Sequence, residues 1–102
     1  MKYNKLVRDK IIERLKLKGL NPTSHIANEE EYWKKLKEKL KEETDEFLKE
    51  YNKGELADIL EVINAICEFK KIDKDELELL RKKKLEERGG FKDRIILDEV
   101  KD

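Results

Sequence analysis

Apolar residues recur at helical spacing along most of the chain. Leu6, Val7, Ile11, Ile12 and Leu15 predict a first helix that Gly19 stops. Asn21-Pro22 reads as a turn, and residues 23–27 as a short extended segment. Asn28, followed three positions later by Glu31, has the form of a capping box and predicts a long helix over 29–51. Its inward seam is Trp33, Leu36, Leu40, Glu43 and Phe47, spaced 3, 4, 3 and 4. Residues 52–54 break that helix, and a second follows over 55–70. It carries Leu56, Ile59, Leu60, Val62, Ile63, Ile66, Cys67 and Phe69 around most of its girth. Such a helix belongs at the centre of a fold or at a subunit interface. Asp73 and Glu76 cap another helix, with Leu77, Leu80 and Leu85 near one face, which runs to Arg88 and ends at Gly89-Gly90. Residues 94–100 contain Ile95, Ile96 and Leu97 and predict a short strand that would pair with 23–27. The expectation is an all-α fold: an antiparallel helical bundle of about four helices, with at most one minor two-stranded β element. No repeat or linker divides it, so residues 1–102 read as a single domain.

Composition sharpens this picture. Leu, Ile, Val and Phe supply 29 of 102 residues, above the roughly 20% below which chains stay unfolded. Ala, Glu, Lys, Leu and Arg supply 59, which suits long helices. Charged residues are 49% of the chain and their net charge is zero. A monomer so small and polar has a thin core, which predicts that a homo-oligomer, a dimer or tetramer, completes it. No stretch approaches the ~18 consecutive apolar residues of a membrane span. The first 18 residues lack a secretory signal's apolar core and cleavage site, so the expected location is cytoplasmic. With one cysteine and one histidine, an internal disulfide, a cysteine-based zinc site, a two-histidine metal motif and a Cys/His or Ser/His/Asp nucleophile system are all excluded. Cys67, Trp33, Phe47 and Phe69 read as core, and His25 as a surface residue.

The carboxylates change the picture most. Glu43 stands in the apolar seam, where an isolated charge costs several kcal/mol unless compensated. Glu46 projects to the same side one turn on, and Glu55 and Asp58 repeat that spacing at the start of the following, otherwise apolar helix. The break between the two helices is short, which makes them antiparallel neighbours and brings the two pairs together. Between Glu42 and Asp58 lie seven acidic residues and two lysines, net −5. Four converging carboxylates need a counter-charge. Hard oxygen donors without histidine point to Mg²⁺, or Mn²⁺, rather than zinc or di-iron.

Positive charge lies elsewhere. Residues 1–18 carry net +5, and residues 81–94 carry net +4. The second stretch runs into Arg88-Gly89-Gly90-Phe91, where a glycine backbone can approach a phosphate, Arg88 can grip it and Phe91 can stack on a base. Metal-binding acids with basic ends describe a polyphosphate site. The plain readings stand beside this one: helix ends carry solvated lysines, Gly-Gly stops helices, and a lone Glu-x-x-Glu seldom binds metal.

At Glu42-Glu43-x-x-Glu46 followed by Glu55-x-x-Asp58, the chain resembles the all-α nucleoside triphosphate pyrophosphohydrolases, the MazG-like superfamily that includes phosphoribosyl-ATP pyrophosphohydrolase. The opening residues 3–11, Tyr-Asn-Lys-Leu-Val-Arg-Asp-Lys-Ile, and the closing residues 84–91, Lys-Leu-Glu-Glu-Arg-Gly-Gly-Phe, are similar to a small branch of that superfamily. Eight residues separate Glu46 from Glu55, fewer than in many members. The resemblance implies a helical bundle completed by assembly, and Mg²⁺-dependent hydrolysis of the α–β phosphoanhydride to a monophosphate and pyrophosphate. It implies Glu43, Glu46, Glu55 and Asp58 as metal ligands. Glu42 would ligate or orient a water, and Glu42 or Glu46 would accept the proton of the attacking water. Arg8, Lys10, Arg88 and Phe91 match the branch pattern; they and Lys83 are candidate substrate-binding residues, with Lys10, Lys83 or Arg88 holding the outer phosphates.

The expected function is therefore hydrolysis of a nucleotide substrate in nucleotide-pool cleansing. The alternatives are phosphoribosyl-ATP hydrolysis in histidine biosynthesis and a catalytically silent helical interaction module. Nucleic-acid binding is disfavoured, because acids interrupt both basic stretches.

Overall fold

Asn28 opens the longest helix, its side chain accepting a 2.9 Å hydrogen bond from the Glu31 amide. Asn52 and Asp73 do the same for the next two helices, accepting from Gly54 and from Asp75 and Glu76. In this computed structural model, which describes residues 2–101, the helices are α1 (Ile11–Leu17), α2 (Glu29–Lys49), α3 (Lys53–Lys70) and α4 (Lys74–Arg88). The fold is all-α, as the periodicity predicts. Its central pair is α2 and α3, joined by residues 50–52 and packed against each other. They run antiparallel: Trp33 and Tyr32 near the start of α2 meet Phe69 near the end of α3. The Trp33 and Phe69 rings stack at 6.0 Å, and Tyr32 meets Phe69 edge-on at 5.1 Å.

Two compact units divide the chain, Met1–Lys71 and Ile72–Asp102. In the first, the buried apolar residues are Leu36 on α2 and Val62 and Cys67 on α3. Cys67 is core, as its place on the apolar face predicts. Part of the apolar girth of α3 stays open: Leu56 and Leu60 are exposed, the latter at 65%. The second unit holds α4, which buries none of its residues and stops at Gly89 with φ +80°.

Two expectations change. Residues 6 and 7 are not helical; α1 begins at Ile11. The preceding segment turns through Asn4, φ +45°, and is held by contacts to α2 and α3 that no local periodicity encodes. The two-stranded β element does not form: among the described residues there is no strand. Residues 23–27 and 94–100 are irregular, with Ile26, Ile95, Ile96 and Leu97 all strongly exposed. Three consecutive apolar residues read like a buried strand, but here no ladder partner and no burial stabilise one.

Candidate metal centre

The closed end of the α2–α3 hairpin gathers acids. Glu43 reaches it from the inward seam of α2 and is only 8% exposed. Glu55 and Asp58, three apart on α3, reach it from the facing helix, and both are half-buried. One carboxylate oxygen from each of Glu43, Glu55 and Asp58 lies within 4.8 Å of the other two. Glu46 lies on the same side of α2, exposed, and its charge acts on Glu55.

The electrostatics of Glu55 are those of crowded acids. Its Oε2 is enclosed and meets no donor. Its carboxyl is pushed up to about 7, first by a hydrogen bond toward Glu43 that only the protonated acid can donate, then by enclosure and by the charges of Glu46 and Glu43. A proton shared between crowded carboxylates does in part what a divalent cation would do. The donor set is oxygen only, so the residues fit a hard cation.

Basic side chains meet the same acids. Lys39, one turn before Glu43 on α2, stands 3.2 Å from Glu43 and 3.3 Å from Glu42. Lys5 donates to Glu42 at 3.1 Å, and Arg8 to Asp58 at 2.7 Å. Burial pushes the Glu42 carboxyl up, but Lys5 and Lys39 outweigh it and hold that group below the ordinary value. Its hydrogen bond to Glu42 pushes Lys5 up, despite some burial.

The structure thus brings Glu42, Glu43, Glu46, Glu55, Asp58 and Arg8 to one place. Lys10 is exposed at the start of α1, with no capping hydrogen bond from its side chain. Lys83, Arg88 and Phe91 belong to the second unit, on α4 and the turn after it; all are exposed, Phe91 at 97%. Sequence reasoning left out Lys5 and Lys39. Lys39 was findable, since its spacing to Glu43 is that of a helical ion pair. The pairing of Lys5 with Glu42 spans 37 positions and has no local signal.

His25 is a surface residue, its Nε2 lying 2.9 Å from a Glu31 oxygen. No helix is long and apolar enough to cross a membrane among the described residues. Comparison with family models, curated proteins and solved structures finds no match.

Proposed function

We propose that this chain is a Mg²⁺-dependent nucleotide pyrophosphohydrolase of the MazG-like kind, cleaving a nucleoside triphosphate between its α and β phosphates. The observation that carries the reading is the convergence of Glu43, Glu55 and Asp58, together with a Glu55 Oε2 that is enclosed and has no donor. Those three residues, with Glu46 beside them, would hold the cation. When bound, Mg²⁺ or Mn²⁺ supplies neutralisation of phosphate-oxygen charge, which is most of what phosphoryl transfer requires.

The chain's own groups divide the remaining work. Glu42 is kept ionised by Lys5 and Lys39, which makes it a weak base. It is better suited to orienting a water, leaving Glu46 to accept the proton. Arg8, on Asp58 beside the cluster, is a candidate for a phosphate group, which a guanidinium takes bidentately, while Lys5 stays with Glu42. Lys10, Lys83, Arg88 and Phe91 remain candidates for the outer phosphates and the base. The exposed Leu56 and Leu60 on an otherwise apolar helix support assembly into a homo-oligomer. A cytoplasmic role in nucleotide-pool cleansing completes the proposal.

The test is pyrophosphate release from a panel of standard and modified nucleoside triphosphates and phosphoribosyl-ATP, with and without Mg²⁺. We expect cation-dependent release that Glu46→Gln abolishes. Turnover of phosphoribosyl-ATP alone would move the chain to histidine biosynthesis. A second reading has its own observation: Lys5, Arg8 and Lys39 already neutralise Glu42, Asp58 and Glu43, as a silent interaction module would need. Silence of the folded protein across the panel would favour it.

A further inference from the structure

Residues 4–8 form a strap across the hairpin, tied at three points. Lys35 Nζ donates to the Asn4 carbonyl at 2.8 Å, Lys5 Nζ to Glu42 at 3.1 Å, and Arg8 Nη2 to Asp58 Oδ1 at 2.7 Å. The first two ties fall on α2 and the third on α3, so the strap spans both helices beside the acidic cluster. Beneath its first part is a cavity of about 200 Å³ lined by Lys5, Lys35, Lys39, Glu38 and Glu42 among others.

The third tie is the informative one. Asp58 is one of the three residues whose oxygens converge, yet it is engaged by a guanidinium. Arg8 therefore already supplies positive charge to one member of the cluster. Its side chain is 55% exposed and that of Asp58 38%, so the pair is largely solvated and easily exchanged. A guanidinium released there would lie beside the cluster, with a fork geometry that matches phosphate.

Resting on the metal-site reading above, we propose that Arg8 is an exchangeable internal counter-ion. In the cation-free protein it occupies Asp58. It is released when Asp58 turns to a divalent cation, and it then takes a phosphate group of the substrate. Lys5 holds the strap in place on Glu42 throughout. Cation and phosphate then favour each other's binding, because one frees the group that holds the other, and the coupling is reciprocal. The device also disfavours phosphate binding before the cation arrives, since Arg8 is occupied until then.

The test separates three roles for Arg8 by sign. The full chain is titrated with Mn²⁺ alone, without nucleotide, for the wild type, Arg8→Gln and Arg8→Lys, with circular dichroism confirming equal helix content. Removing a competing counter-ion should tighten Mn²⁺ binding in Arg8→Gln by about two- to fivefold, the range expected of an exposed ion pair. Arg8→Lys should stay near the wild type. In a second arm, inorganic phosphate is added with Mg²⁺ present and followed by phosphorus NMR; Arg8→Gln should bind it more weakly than the wild type. Unchanged Mn²⁺ affinity in Arg8→Gln would overturn the proposal, and so would weaker affinity, which would make Arg8 a support for Asp58. If the wild type binds no Mn²⁺, the metal-site reading fails and takes the exchange with it. If the wild type binds and the variant does not tighten, the exchange fails alone.

Discussion

Glu43→Leu is the most incisive perturbation of this chain, because the two readings of its acids predict different losses. Glu43 is 8% exposed and sits in a seam otherwise made of Trp33, Leu36, Leu40 and Phe47. Full burial of a leucine side chain contributes about 1.5–3 kcal/mol. Part of that is already present in the glutamate's own methylenes. The substitution removes the Lys39–Glu43 pair, 3.2 Å, a largely buried pair whose Coulomb attraction is offset by the desolvation of its charges. Lys39 is not orphaned, since Glu42 stays 3.3 Å away. Crowding of Glu55 is relieved as well. The metal-free protein should therefore gain about 1–2 kcal/mol. That corresponds to a midpoint at least about 4 °C higher for a domain of this size. Thermal unfolding in a chelator, followed by circular dichroism, measures it. In the same variant Mn²⁺ binding and pyrophosphate release should disappear. A Glu43→Leu protein destabilised by more than about 1 kcal/mol would refute the reasoning, because Glu43 would then be stabilising the fold in its own right.

Other outcomes follow from the same geometry. Glu55 has a folded-state pKa of about 7 against an ordinary 4.5, so the native state binds more protons than the unfolded state between those values. Stability of the metal-free protein should fall as pH rises through that window, and chemical denaturation across it should show Glu55→Gln with a flatter profile; a rising wild-type profile would contradict the crowding. Leu36 is 1% exposed, and Leu36→Ala should cost about 2–5 kcal/mol in urea unfolding. Asn28→Ala removes the α2 cap and should cost about 0.5–2 kcal/mol by the same assay, with Asn28→Asp close to the wild type.

The helices were legible where chemistry along the chain is local. Asn28, Asn52 and Asp73 each accept amide hydrogen bonds within three residues, so a reader of sequence sees both partners at once. The two acidic pairs were legible for the same reason: residues three apart share a helix side, and a three-residue connection folds one pair toward the other. The start of the chain was not. Leu6 and Val7 extend a helical period, but Lys5 and Arg8 bind residues 37 and 50 positions away, and those ties hold the segment out of a helix. Residues 94–100 misled in the opposite sense, since an apolar run predicts burial only if something covers it, and Ile95 to Leu97 are open.

The closed end of the hairpin also has a meaning in time. Glu43, Glu55 and Asp58 fall within sixteen consecutive residues, 43–58, and the loop between them is short enough to close on the scale of tens of nanoseconds. Contacts of such small sequence separation form early, before non-local packing offsets the entropy of longer loops. The acidic cluster should thus assemble with the helical hairpin, ahead of the aromatic stack at its far end and of the strap, whose ties reach across tens of residues. Lys39, one turn from Glu43 on the same helix, tempers that negative charge from the start, and Lys5 and Arg8 should add to it only when the strap docks.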